Sequence, residues 1–336
     1  MMKKILLIIL IGNFIWAQSV SKVGTSSAKF LNVPVDAWGT GRGQAVVTGY
    51  GDASTLFWNP STIAYLENTT AHFSYTKWFE DINFNYLAVV LPYGNLGSFG
   101  INTTFYQTDP IEVTTEMYQG GTGEYYTVSS YAIGMAYARK LTDKFAIGFN
   151  TKYIIESIYH SSATGLALDI GGRYTTPWKG IHLGFAITNF GTKMRMTGED
   201  LIVTVDPDPM NSGNNDVINA YYDTDKFDMP LSMTIGVAWD ILYSELSKVT
   251  LEIDGIYPSD NYSSLNAGLD ISMFNDLVYL RTGVANLFLD TMEPHYSFGG
   301  GLKYPILGNM TLCVNYAYQT HEYFNKNEHI SISITF

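Results

Sequence analysis

The amino-acid sequence predicts an all-β protein, a transmembrane antiparallel β-barrel of about 14 strands with a cleaved leader and a compact segment ahead of the first strand. Three observations lead there: an export leader, a composition low in charge without a second long apolar run, and a repeated unit of alternating polarity. Lys3 and Lys4 precede the apolar run Ile5–Ile11, which continues through Phe14 to Ala17 before Gln18 and Ser19. A basic start, an apolar middle and a small residue at the end make residues 1–17 a signal peptide. Gly12 and Asn13 interrupt a stretch already shorter than the roughly 20 residues of a membrane helix.

The chain is 46% hydrophobic and 15% aromatic, with 25 Tyr, yet only 15% charged. Soluble domains carry nearer about a quarter charged residues. Low charge without a spanning helix suits a barrel, which spreads its apolar surface over alternate positions. The expected location is therefore the bacterial outer membrane, with membrane lipid and the barrel-insertion machinery as partners. A net charge of −12 excludes nucleic acid as a partner, because phosphate binding needs basic surface. The single cysteine, Cys313, excludes an internal disulfide framework and a Cys-rich metal site.

Residues 67–336 repeat one unit, a run of alternating polarity followed by a turn. The predicted strands are Ala71–Trp78, Ile82–Pro92, Gly97–Thr108, Ser129–Arg139, Phe145–Ile158, Gly165–Thr175 and Ile181–Phe190. After a long acidic insert come Leu231–Ile241, Val249–Tyr257, Ser264–Phe274, Val278–Phe288, Tyr296–Pro305, Met310–Thr320 and His329–Phe336. Successive side chains of a strand leave opposite faces, so a period of two marks each of them. Tight turns are expected at Tyr93–Leu96, Leu141–Lys144, Pro177–Gly180, Leu242–Ser247, Asn275–Leu277 and Leu307–Asn309. Longer connections alternate with them, as in outer-membrane barrels.

Facing follows from charge. Lys152, Asp169, Arg173, Glu252, Asp254, Asp270 and Arg281 fall opposite the apolar sets of their strands, so they are expected in the lumen. A basic residue on the lipid face near the midplane costs about 2–4 kcal/mol. Gly134, Gly148, Gly171, Gly184, Gly236, Gly268 and Gly283 share the lumen face and point to a crowded interior. At the C-terminus Ile330, Ile332, Ile334 and Phe336 form the lipid-facing set, resembling the insertion signal of bacterial barrels. Lysine in place of Ile332 is expected to impair insertion, and lysine in place of Ser333 to be better tolerated.

Residues 18–66 differ from the repeats. They hold Phe30 to Ala37, the glycine-rich Gly39 to Ala45, and Asp52-Ala53 followed by Phe57-Trp58-Asn59-Pro60. No strand precedes the glycines and no P-loop lysine closes them, so the reading is a tightly turning segment inside or beneath the barrel. This run, continued by Trp78-Phe79-Glu80-Asp81-Ile82 and Asn85 to Ala88, resembles the N-terminal signature of the PorV/PorQ family. That family is similar in architecture to FadL-type barrels, which have 14 strands and a hatch in the lumen. The resemblance makes Trp58, Asn59 and Pro60 a hatch motif. Trp38 stands where the family often has Arg, Arg42 interrupts its small-Met-Gly-Gly run, and Ser61 replaces its usual Ala.

Two roles follow from the resemblance: a component of type IX protein secretion or surface assembly, contacting secretion proteins or exported cargo, or a FadL-like carrier of hydrophobic small molecules. Chemistry is not expected. No histidine is spaced with a serine for nucleophilic catalysis, and His182 reads as a hydrogen-bonded lumen residue. Glu252 and Asp254 share a face that would suit a cation or a pairing with Arg281, but polar satisfaction of the lumen is the preferred account. The acidic insert Gly191–Met229 lacks the alternate-ligand spacing of a calcium loop, and its Tyr221-Tyr222 pair is a candidate contact. No catalytic residue, cofactor or metal site is assigned, and the expectation is a non-enzyme.

Overall fold

The computed structural model describes residues 23–78, 82–210, 217–244, 246–289, 292–306, 308–321 and 326–336. The signal peptide, Phe79–Asp81 of the family-like run, and parts of the predicted Leu242–Ser247 and Leu307–Asn309 turns and of the acidic insert lie outside them.

Fourteen strands form a closed antiparallel barrel. They are β1 Thr70–Lys77, β2 Asn83–Pro92, β3 Ser98–Gln107, β4 Val128–Lys140, β5 Phe145–Ile158, β6 Ser161–Thr175 and β7 Ile181–Gly191. The second half comprises β8 Ser232–Tyr243, β9 Ser247–Pro258, β10 Ser264–Met273, β11 Val278–Leu287, β12 His295–Pro305, β13 Thr311–Thr320 and β14 Lys326–Thr335. Each strand pairs with its sequence neighbours, and β1 closes on β14 through Thr70↔Thr335 to Lys77↔Glu328. Closure removes every free edge, so all backbone groups of the wall are satisfied within it.

The predicted runs fall on these strands, with informative differences at the ends. β6 starts four residues before the expected Gly165, because Ser161–Thr164 carry no apolar residue on the lipid side to reveal the alternation. Its connection to β5 is a two-residue hairpin, Tyr159-His160, with Tyr159 in left-handed conformation at φ 52°. β14 likewise begins at the polar Lys326 rather than His329. The acidic insert is not wholly irregular: Ile202–Val205 and Ile218–Tyr221 pair as a small hairpin.

Burial alternates along the wall. On β4, Tyr131, Ile133 and Met135 are exposed while Ala132 and Ala136 are buried, and on β14 Ile330 and Ile332 are exposed while His329, Ser331 and Ser333 are buried. The exposed set is the lipid face. Tyr93, Trp178, Tyr243 and Tyr304 ring the end bearing the short turns, and Tyr159, Tyr257 and Tyr296 lie toward the other. Aromatic girdles of this kind mark membrane interfaces, and the end with longer connections faces outward. No helix among the described residues is long and apolar enough to cross a membrane.

The segment before β1 fills the lumen as a hatch that descends from the outer mouth to the inner end. At the top, Lys29 bonds Asp260 of the β9–β10 connection at 2.6 Å, and Ser27 donates its backbone N–H to Asp228. A short helix, α1 (Ala37–Gly41), is capped by Asp36, whose carboxylate accepts from Gly39 N. A second helical turn, α2 (Thr55–Trp58), leads into a 3₁₀ segment, Pro60–Tyr65. At the bottom, Asp52 meets His72 of β1 at 3.3 Å and accepts from Ser333 of β14, so the hatch pins the closing seam.

Candidate functional site

The wall around the hatch has two chemically different faces. Along β2–β6 an apolar cluster lines part of the lumen, in which Phe84, Tyr86, Ala88, Val90, Ala132, Ala136 and Ile154 pack with Phe30, Leu31, Leu56 and Ile63 of the hatch. Asn102, Asn150, Lys152, Asp169 and Arg173 of the same strands are also buried. Along β8–β14 it is polar, and the hatch is held there by directed bonds. Glu252 accepts from Arg42 Nη2 at 2.8 Å and from both the N–H and the hydroxyl of Thr48 at 2.7 Å. Asp254 accepts from Val46 N at 2.7 Å and Val47 N at 2.9 Å. Both carboxylates are completely buried.

These bonds satisfy both carboxylates without Arg281. Arg281 does not meet Glu252 or Asp254; it bonds Asp270 at 3.3 Å and Asn315 at 2.7 Å. The reason is that backbone N–H groups and Arg42 of the hatch occupy the two carboxylates first. Arg173 donates to Thr48 O at 2.7 Å and stacks on Tyr50 and Tyr65 of the hatch. Lys152 and Asp169 pair at 2.8 Å, with Asn150 and the N–H of Asn189 also on Asp169. Asn189 is left-handed at φ 62°, at the place where the β6–β7 register shifts. His182 meets Asp240 at 3.3 Å.

The lumen glycines mark where the hatch touches the wall. A Cβ on Gly148 would lie 2.5 Å from the Pro60 carbonyl, and on Gly171 2.9 Å from the Pro60 ring. On Gly184 it would lie 2.7 Å from Val47 O, and on Gly268 2.2 Å from Arg42 O. Any larger residue displaces the hatch. Within the hatch, Trp58 Nε1 donates to Asp36 at 3.0 Å, and Asn59 Nδ2 donates to Val47 O at 2.6 Å and to Gly172 O of the wall at 3.2 Å. The residues that depart from the family-like pattern support one another: Arg42 stacks over Trp38 at 4.8 Å, and Ser61 donates to Asn59 Oδ1 at 2.7 Å.

Cavities lie at both ends. The outer one, about 750 Å³, is walled by Met196, Leu201, Ile202, Tyr221 and Tyr222, with His160 at its edge. A neighbouring one of about 380 Å³ shares His160 and is walled by Pro110, Tyr125, Tyr126 and Tyr159. The hairpin tip is held to the insert by Asp200, which accepts from His160 N and Ser161 Oγ, both at 3.0 Å. At the inner end a polar vestibule of about 540 Å³ opens among Arg173, Asp240, Asp270, Arg281 and Lys303. Sequence reasoning missed the outer trough, apart from Tyr221 and Tyr222. Its other walls, Arg195 to Ile202, belong to the same insert, and only His160 comes from another connection.

Serine, histidine and aspartate do meet at the seam, but not as a relay. Ser333 and Asp52 both approach Nδ1 of His72, and Nε2 has no partner, so no hydroxyl is activated through the ring. Other buried groups also lack partners: Tyr86 Oη, Thr40 Oγ1, His329 Nε2 and both amide atoms of Asn327. A buried polar group without a partner costs about 1–3 kcal/mol.

No family model and no curated protein matches this chain. Solved structures do match in fold. A CymD monoaromatic hydrocarbon channel aligns with a TM-score of 0.56 at 14% identity, covering 90% of this chain and 97% of the other. A Pseudomonas aeruginosa FadL homologue gives 0.55 at 13% identity, covering 90% and 98%. The Pseudomonas putida toluene transporter TodX gives 0.56 at 14%, covering 88% and 95%. The chain therefore has the fold of FadL-type barrels, and a closed 14-strand barrel with an apolar exterior is an outer-membrane structure. These neighbours are channels and transporters rather than enzymes. The PorV/PorQ resemblance gains no support from these comparisons.

Proposed function

We propose that the protein carries hydrophobic small molecules across the outer membrane. The observation that carries this reading is a FadL-type fold with a trough at the outer mouth, where Met196, Leu201, Ile202, Tyr221 and Tyr222 supply apolar surface beside Arg195, Thr197 and Glu199, above a lumen closed by a hatch. A solute leaving water for the trough gains about 25 cal/mol for each Å² of apolar surface it buries. The hatch then controls passage, because it fills the barrel on both lumen faces. Two of the named neighbours, a monoaromatic hydrocarbon channel and a toluene transporter, favour small hydrocarbons as the cargo class.

Uptake of radiolabelled toluene and of a medium-chain fatty acid by a deletion strain and its complemented parent tests this. Slower uptake in the deletion strain, restored by the gene, is the expected outcome. Equal rates would overturn the proposal.

The resemblance over residues 28–92 favours a second reading, participation in type IX protein secretion. In this structure Trp58, Asn59 and Pro60 are engaged in holding the hatch to itself and to the wall, which accounts for the motif without cargo. Loss of secreted C-terminally signalled proteins from the same deletion strain, with toluene uptake intact, would reverse the order of the two readings.

A further inference from the structure

Asn327 and His329 sit two apart on the lumen face of β14, in the outer half of the barrel, and both are fully buried. Neither the amide nitrogen nor the amide oxygen of Asn327 has a partner. His329 bonds Thr76 through Nδ1 at 2.8 Å and leaves Nε2 unpartnered. Whichever tautomer the ring adopts, one donor or one acceptor is left over. Across the seam between hatch and wall lies a further such group. Thr40 Oγ1 on α1 is enclosed and unpartnered, and α1 packs on β12–β14. The next residue, Gly41, is so close that a Cβ there would lie 3.2 Å from Gly299 Cα and 3.6 Å from Ala317 Cβ. Ala317 is the ladder partner of His329. One hydrogen bond joins the two surfaces directly, from Ala37 N to Ser331 Oγ at 2.8 Å.

Buried polar groups in native proteins are nearly always paired. Unpaired groups gathered on both sides of one interface imply that another state of the molecule satisfies them. On the opposite face of the hatch the apolar cluster holds one such group, Tyr86 Oη. The wall residues around Asn327 and His329 are Ser297, Ala317, Gln319 and Thr76, none of them charged. The charged side chains nearest in sequence, Lys326 and Glu328, pair with each other at 2.9 Å away from the lumen.

We propose that the interface between α1 and β13–β14 opens to bind a neutral hydrogen-bonding head group of the solute, such as an alcohol, a phenol or an amide. Asn327 offers a donor and an acceptor, and His329 and Thr40 one group each. The nearest wall cation, Arg281, whose Cβ lies 3.5 Å from a Cβ placed on Gly41, is already taken by Asp270 and Asn315. The proposal rests on the transport reading and refines it. The preferred solutes are hydrophobic molecules with one uncharged polar group, rather than bare hydrocarbons or anions.

The test compares three ligands of one shape: toluene, p-cresol and 4-methylbenzoate at neutral pH. Purified protein in amphipol, labelled with ¹⁵N-histidine, is titrated with each, and the His329 resonance is identified by its loss in His329→Gln. p-Cresol is expected to shift His329 and to bind about tenfold more tightly than toluene, with 4-methylbenzoate weakest. Asn327→Leu and Thr40→Val should each bring p-cresol toward the toluene affinity and leave toluene unchanged. Heat-modifiable migration on gels confirms that these variants are folded barrels. Equal affinity for cresol and toluene, a cresol preference that survives Asn327→Leu, or a His329 signal answering only to water exchange would each overturn the proposal. Toluene uptake in cells separates the two readings. If it is intact without a cresol preference, this inference fails alone; if it is absent while cresol still shifts His329, the transport reading fails alone.

Discussion

Along β2–β4 the hatch meets alanine, valine, phenylalanine and tyrosine, and what holds it is contact area; on β5 and β6 bonds to Glu156, the Gly172 carbonyl and Arg173 are added. Along β8–β14 it meets carboxylates that accept from named hatch atoms, and what holds it is direction. The two faces therefore respond to damage differently. Truncating an apolar side chain on one face leaves a cavity whose cost is shared among its neighbours. Deleting a carboxylate on the other strands the particular hatch donors it accepted from, Arg42 and Thr48 for Glu252, and the penalty falls on those few groups. A hatch gripped this way is steadied by its apolar side and located by its polar side.

The sharpest break in that comparison is Glu252→Ala. It strips Arg42, only 3% exposed, of its nearer partner, leaving Asp270 at 3.9 Å, and removes both Thr48 bonds. Removing one member of a buried pair costs about 3–5 kcal/mol. The expected outcome is a hatch that leaves its seat: new protease cleavage within residues 39–51 and a rise in single-channel conductance, with the barrel still folded on gels. An unchanged conductance would show that the polar side does not locate the hatch.

Leu56→Ala probes the other face. Leu56 is fully buried and lies against β3, where a Cβ on Gly100 would come within 2.5 Å of its side chain. The expected loss is about 2–5 kcal/mol, read as a lower melting temperature. Conductance and protease resistance at 25 °C should change little, because the Glu252 and Asp254 bonds still position the segment. If Leu56→Ala opens the channel as Glu252→Ala does, the division of labour between the faces is wrong.

How much of this was legible in the sequence follows the same division. The wall was readable because lipid imposes a strict period of two: Ile330, Ile332 and Ile334 against Ser331 and Ser333 leave one facing. The glycines Gly148, Gly171, Gly184 and Gly268 were readable as crowding, since a strand tolerates them only where something presses close. The groups that press on them were not readable, because Pro60, Val47 and Arg42 reach most of those glycines across more than a hundred residues of chain. The partners of Glu252 and Asp254 were hidden for the same reason: backbone N–H groups leave no mark in a sequence.

The filled lumen changes what one pair of substitutions should do. Ile332→Lys puts a charge on the lipid face at a cost of about 2–4 kcal/mol, and should slow folding into liposomes. Ser333→Lys, tolerable in a water-filled lumen, instead enters a filled one. Ser333 is 2% exposed and bonds both His72 and Asp52 of the seam. It should insert at a normal rate, yet carry a displaced hatch, visible as raised conductance. Insertion and gating are thereby separated by two adjacent residues. Slow insertion of both variants would mean that the hatch is seated before the barrel closes.

The smallest effect belongs to the outer trough, where neither face of the lumen is involved. Slight desolvation raises the affinity of Asp200 for its proton, but the bonds from Ser161 Oγ, His160 N and the His160 ring outweigh it and hold the carboxyl below the usual range. The sign follows from linkage. The contribution of Asp200 is fully present above the ordinary aspartate value of about 3.9 and is lost as pH falls through the lowered one. Acidification below about pH 4 should therefore loosen the insert at the Tyr159-His160 tip, with the backbone pairing of Thr197 and Gly198 to Ser162 and Ser161 left in place, while near pH 5 the contact is unchanged. A fluorophore on the insert, reporting its distance from Tyr159, reads this directly. Asp200→Asn should abolish the acid transition and leave hatch conductance at its wild-type value. A conductance change on acidification that Asp200→Asn removes would instead tie the mouth to the hatch, and the polar grip of β8–β14 would then extend to the cell surface.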